Sequence, residues 1–197
     1  MRRFLMFRLL CLLLALGALA TSSVLAQGPT ADADYLNWSA TRRLTAADFQ
    51  MKPQSSKNLN GSMAMFSYNL DGNIGQLLGK KANDIVRARM LRTASWLDVS
   101  SPASVVEQLR FQQTLFDIEE LYTRRFRQQA RANARRILLI GKPDLNGLLD
   151  AEMKACQLRQ AAYVEETNYG TMPSAQAGWE QKIQAELQQL QAFQASE

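Results

Sequence analysis

The sequence predicts an α+β domain in which short antiparallel strands pack on a helical carboxy-terminal half of about three helices. Three observations carry this. Two stretches in the first half alternate apolar and polar residues, Ser62 to Leu70 and Asp84 to Leu91. The second half holds long segments of helical periodicity punctuated by strong start and stop residues. Some 170 residues lie beyond an apolar amino-terminal leader, roughly enough for one domain with its own core.

The leader comes first. Arg2, Arg3 and Arg8 precede an apolar run from Leu9 to Ala20, and Val24-Leu25-Ala26 before Gln27 reads as a cleavage site. This is the organisation of a secretory signal peptide, predicted over residues 1–26. The apolar run is shorter than the ~20 residues needed to span a bilayer, so no stable membrane span is expected after cleavage. The predicted destination is the periplasm or the extracellular medium. Three of the 23 basic residues and none of the 18 acidic residues lie in the leader. That leaves 20 against 18, a net charge of +2 in place of the formal +5. The basic excess is thus largely a targeting device, and together with export it argues against a nucleic-acid partner. Cys11 leaves with the leader, so Cys156 remains alone and no internal disulfide is expected.

Residues 27–35 are small and polar and read as a disordered lead-in, with a single domain over 36–197. A polar loop is expected from Lys52 to Gly61. Ser62 to Leu70 places Ala64, Phe66, Tyr68 and Leu70 on one strand face. Asp71-Gly72 then supplies a hairpin-type turn into a second run from Asn73 to Leu78. In Asp84 to Leu91, Val86, Ala88 and Met90 alternate with Arg87 and Arg89, which fits a half-buried strand or a short helix.

Ser101 is a good N-cap and Pro102 suits the first helical position. The first helix is predicted to reach Ile140, where Gly141-Lys142-Pro143 stops it. Asp144 caps a second helix running to Thr167, and Asn168 to Pro173 forms a loop. Ser174 opens a third helix whose Trp179, Ile183, Leu187 and Leu190 form a core-facing stripe, and the Gln/Ala-rich tail after Gln184 is expected to continue as helix to a frayed end.

The sequence contains no histidine. Hydrolytic centres built on zinc–His, Ser–His or Cys–His are therefore excluded. The absence matters most in the first helix. Phe111 and Leu115 are four residues apart on one face, as the two imidazoles of a zinc helix are, and Gln112 stands where its glutamate base would be. Neither Phe111 nor Leu115 has a lone pair for a metal, and a glutamine amide is no base near neutral pH.

Four blocks in order resemble the DUF922 family, bacterial secreted proteins described as zinc-dependent proteases. Its early W…R.LTW.DF.G.P pattern is similar to Trp38, Arg43-Leu44-Thr45-Ala46-Ala47-Asp48-Phe49-Gln50 and Lys52-Pro53. Its SW pair resembles Ser95-Trp96, and its HEQGHFDI.E..AR helix resembles Phe111 to Arg124. Its late ET.HG…Q..W…I pattern resembles Glu166-Thr167-Asn168-Tyr169-Gly170, then Gln176, Trp179 and Ile183. Coverage runs from about Trp38 to Leu190. The resemblance implies a zinc-protease-like scaffold whose ligand and base positions have become Phe111, Gln112, Leu115 and Tyr169. Phe111, Leu115 and Tyr169 are then expected to converge as an apolar plug. No metal, cofactor or catalytic residue is expected. The implied role is binding of a peptide, a protein or a cell-envelope component.

Other residues offer rival chemistry. Asp117, Glu119 and Glu120 lie near each other on this helix; the pair Asp117/Glu120, at i, i+3, fits a hard oxygen site, and Asp117 or Glu120, with Tyr169 or a lysine, fits unorthodox acid–base work. The reading preferred on charge pairing sets Glu120 against Arg124 at i, i+4 and gives Asp117 basic neighbours. Arg124, Arg127, Arg131 and Arg135 form a stripe with Arg125 and Arg136 alongside. The stripe is expected to be a solvated face answered by Glu152, Glu165 or Glu166, with docking to anionic envelope components as the alternative.

Overall fold

The computed structural model describes residues 33–52, 61–70 and 74–196. The leader of residues 1–26, most of the lead-in, the greater part of the Lys52–Gly61 loop and the Asp71-Gly72 turn lie outside the described residues. The protein is α+β, with a three-stranded antiparallel sheet and four helices. The strands are β1 (Tyr35–Asn37), β2 (Ser62–Leu70) and β3 (Val86–Leu97), in spatial order β1-β3-β2. The helices are α1 (Pro102–Ala132), α2 (Ala134–Ile140), α3 (Leu145–Thr167) and α4 (Pro173–Gln189).

β3 is central because it can bury one whole face. Val86, Ala88 and Met90 are buried, while the intervening Arg87 and Arg89 remain half-exposed. The alternation in Asp84 to Leu91 is thus that of a strand. β2 meets it antiparallel with Leu70 opposite Val86 and Phe66 opposite Met90, and β1 pairs on the other side with Tyr35 opposite Leu91. Ala64 and Phe66 pack on the core, and Phe66 stacks on Phe116 of α1 with ring centroids 4.9 Å apart. Leu70, at the end of the predicted face, is exposed.

Two expectations from the sequence need correction. The Asn73–Leu78 run is no strand returning from a tight hairpin: Ile74–Leu78 is a 3-10 helix, and β3 is the strand that returns. Leu77 explains the choice, since this turn buries it in the main core. The lead-in also ends early, because Tyr35 already pairs in β1.

α1 starts at the predicted Ser101–Pro102 junction but stops at Ala132, short of Ile140. Asn133 interrupts it: its side-chain Nδ2 donates to the Gln129 carbonyl at 2.9 Å, competing for an acceptor of the helix ladder. α2 then runs to Ile140 and ends on Gly141 at φ 65°, the left-handed cap that glycine tolerates. Asp144 caps α3, its Oδ2 accepting from Gly147 N at 2.8 Å. α4 begins at Pro173, and its Trp179, Ile183 and Leu187 are buried as the stripe predicted. The tail is not frayed. Asn83 Nδ2 donates to the carbonyls of Ala192 (3.0 Å) and Gln194 (2.9 Å), and the Ser196 hydroxyl donates to Asp84.

The main core gathers α1, α3 and α4 around Ile118, Leu121, Phe126, Tyr163 and Ile183. A second cluster of Leu44, Ala88, Met90 and Phe116 joins α1 to the sheet. α1 is therefore enclosed on nearly every side from Phe111 to Arg124, which places Phe111, Gln112, Leu115, Asp117, Glu120 and Arg124 inside a packed environment. Among the described residues, no helix is long and apolar enough to cross a membrane.

Candidate functional site

The helical spacing that puts Phe111 and Leu115 on one face of α1 turns both toward the main core. Phe111 is buried, stacked on Tyr163 of α3 at 5.3 Å and tilted against Tyr169 at 6.3 Å. Tyr163 in turn meets the Trp179 ring edge-on at 5.4 Å, and its hydroxyl donates to Gln176 Oε1 at 2.6 Å. Burial pushes the Tyr163 phenol up to about 12. Leu115 is partly buried against the same core, and its carbonyl accepts from Gln160 Nε2 at 3.4 Å.

Tyr169 lies in the α3–α4 loop, 64% exposed, as a lid on Phe111 rather than a buried member of the cluster. The loop needs three successive positive φ angles, at Asn168 (46°), Tyr169 (57°) and Gly170 (81°). It is held by Tyr169 N donating to Val164 O (3.0 Å) and Gly170 N to Thr167 Oγ1 (3.1 Å). A Cβ at position 170 would sit 2.8 Å from Phe111 Cβ.

Gln112 turns the other way, toward β2. Its Nε2 donates to Ser62 Oγ at 2.9 Å, and its buried Oε1 has no partner among the described residues.

Asp117 and Glu120 do not form a joint site. Asp117 accepts from Trp38 Nε1 (2.8 Å) and Gln113 Nε2 (2.9 Å) on one oxygen, and from Gln184 Nε2 (2.9 Å) and Arg43 (3.2 Å) on the other. Burial pushes its carboxyl upward against the pull of Trp38, Gln113 and Arg43. The basic neighbour expected for Asp117 is thus Arg43. Glu120 does pair with Arg124, at 2.9 Å, and also with Arg127, at 2.8 Å.

Those contacts correct the reading of the arginine stripe as a solvated face. Arg124 is buried and Arg127 is 1% exposed. Arg127 donates twice to the Val86 carbonyl and once to Phe193 O, while Arg124 donates to Leu187 O. Arg131 and Arg135 remain exposed, and Arg131 reaches Asn83 Oδ1 at 3.2 Å. Of the acids expected to answer the stripe, Glu152 does so, pairing with Arg125 at 3.2 Å.

Sequence reasoning set Glu119 beside Asp117 and Glu120 but gave it no role of its own. It is buried, and its Oε2 accepts from the Cys156 thiol (3.3 Å) and Gln160 Nε2 (3.2 Å) with no cation among its hydrogen-bonding partners. Its place four residues after Leu115 and seven after Gln112 is the signal that was present. Burial holds its carboxyl above the ordinary range. A carboxyl raised on folding destabilises the fold as pH climbs from its unfolded pKa through its folded one. Glu119→Gln is therefore expected to raise Tm at pH 8 by about 2–4 °C and to flatten the pH 5 to pH 8 dependence. Thermal unfolding followed by circular dichroism at the two pH values checks this, and an unchanged slope would refute it.

Two open clefts lie beside α1. One, of about 490 Å³, lies between α1, α4 and the Arg43-Leu44 segment, with Asp117 and Gln113 in its wall and the Arg110–Glu180 ion pair (2.8 Å) at its rim. The other, of about 690 Å³, runs between the edge strand β2 and α3, lined by Met63, Met65, Met153, Gln157 and Gln160, with Glu119 as its charged residue.

Searches against family models, curated proteins and solved structures return no match for the chain.

Proposed function

We propose that this chain is an exported, catalytically silent protein on a zinc-protease-like scaffold, a divergent relative of the DUF922 family that acts by binding. The leader of residues 1–26 supports delivery to the periplasm or beyond. The observation that carries the reading is the aromatic packing at positions 111, 163 and 169. Where the resemblance calls for metal ligands, Phe111 is clamped between Tyr163 and Tyr169 with Gly170 pressed against it. Burying Phe111 contributes about 1.5–3 kcal/mol, so the filled position serves stability where an open one would serve chemistry.

The carboxylates offered for unorthodox hydrolysis are committed elsewhere, Asp117 to four donors and Glu120 to two buried guanidinium groups. Binding then falls to the open surfaces. Among the described residues β2 is the outer strand of the sheet, and the groove beside it has a mixed methionine and glutamine floor. That combination suits an extended polypeptide, whose backbone can add to the edge while its side chains alternate into the groove.

A zinc titration by calorimetry tests silence directly. The expected result is no stoichiometric heat at micromolar protein, in the presence or absence of competing chelator. Tight one-to-one zinc binding would overturn the reading.

A further inference from the structure

We propose that the end of the molecule formed by α2 and the Ile74–Leu78 turn docks on the surface of an anionic phospholipid bilayer. The inference does not rest on the silence of positions 111, 115 and 169. It starts from how α2 is divided. Ala134 and Ile137 face inward with Leu77 of the adjoining turn, and all three belong to the main core. Four other apolar residues of the same two elements face out: Leu139 is 83% exposed, Ile140 63% and Leu78 61%, with Leu138 beside them at 36%. Four large aliphatic side chains at one end of a water-soluble fold are a patch that calls for a partner.

The rim of the patch says which partner. Arg135, Arg136, Lys142, Lys80 and Lys81 are all exposed and form no ion pair among the described residues. The nearby acids are committed. Asp144 caps α3 through Gly147 N, and Asp84 is held by Arg87 and Ser196. An aliphatic tip inside a ring of cations matches the boundary of a bilayer, where acyl chains take the aliphatic residues and lipid phosphates take the cations. A second copy of the same tip is the poorer fit, because face-to-face pairing would oppose two sets of five cations. The arginine stripe as a whole is not the binding element, since its first two members, Arg124 and Arg127, are buried; only its exposed end leads into this tip.

The test is co-sedimentation with sucrose-loaded vesicles, comparing phosphatidylcholine alone with phosphatidylcholine containing about 30% phosphatidylglycerol. Wild-type and variant proteins carry the same amino terminus, so any contribution of residues 1–26 cancels. Binding to the anionic vesicles is expected to be at least about tenfold tighter than to the neutral ones and to weaken from 0.05 M to 0.5 M salt, as screening requires. Leu139→Glu/Ile140→Glu is expected to abolish it, and Arg135→Glu/Arg136→Glu to weaken it about tenfold or more. All four positions are exposed, and circular dichroism verifies that the variants fold. Wild-type protein left in the supernatant with anionic vesicles overturns the proposal. So does undiminished binding by the Leu139→Glu/Ile140→Glu variant. Self-association in light scattering that this variant abolishes, with no vesicle binding, would assign the tip to a second copy and overturn it as well.

Discussion

Replacing Glu120 with alanine is expected to lower the free energy of unfolding by about 3–5 kcal/mol, enough to leave the protein marginal or unfolded at 37 °C. The carboxylate is buried and receives Arg124 Nε at 2.9 Å and Arg127 NH1 at 2.8 Å. Neither arginine can swing out to water when it is removed. Arg127 is fixed by two bonds to the Val86 carbonyl, at the start of β3, and one to Phe193 O in the tail. Arg124 is fixed by Leu187 O at the end of α4 and by Gln194 Oε1. Burial already pushes the Arg127 guanidinium below its usual pKa, with Glu120 as the main force opposing it. Loss of the carboxylate leaves two guanidinium groups confined together in a poor solvent for charge. Urea unfolding monitored by circular dichroism measures the effect, with Arg131→Ala, at the exposed end of the same row, as the surface control expected within ~0.5 kcal/mol of wild type. A loss under ~1 kcal/mol for Glu120→Ala would mean that water reaches the cluster and that the network is not buried as described.

This cluster also shows where sequence reasoning succeeds and fails. Local signals were readable. Ser101-Pro102, Gly141 and Asp144 set helix ends through their own backbone preferences, and the Trp179, Ile183, Leu187 stripe needed only the 3.6-residue period. The pairing of Glu120 with Arg124 was equally local. The burial of Arg127 was not, because its acceptors are the backbone carbonyls of Val86 and Phe193, 41 and 66 residues away, and carbonyls leave no mark in a sequence. The same blindness explains the Asn73–Leu78 run. Its apolar residues fitted a strand as well as a turn, and only the demand of the core for Leu77 decided between them. Glu119 was given no role for the opposite reason. Its hydrogen-bonding partners among the described residues are the Cys156 thiol and the Gln160 amide, so a search for charge pairs finds nothing to set against it.

Gly170→Ala is expected to destabilise the protein by about 2–5 kcal/mol, and the comparison with Gly141→Ala gives the number its meaning. Both glycines have positive φ, 81° and 65°, so both substitutions incur the left-handed cost of about 1–2 kcal/mol. At Gly141 a new Cβ meets nothing within 4 Å, and the cost ends there. At Gly170 it lies 2.8 Å from Phe111 Cβ and 3.1 Å from two atoms of the ring. A ring can rotate away, but a Cβ is fixed to the helix backbone, so α1 or the α3–α4 loop must move, adding about 1–3 kcal/mol. Phe111→Ala should therefore relieve the clash only in part, because the Cβ survives the truncation. Equal losses at 141 and 170 by urea unfolding would show that the loop does not press on α1. The geometry further implies that glycine at 170 is required by any side chain at position 111, since the closest atom is one that every residue except glycine possesses. A histidine there would need the same neighbour as the phenylalanine. The requirement for glycine at 170 thus follows from backbone geometry whatever side chain stands at 111, and it keeps the loop closed over α1.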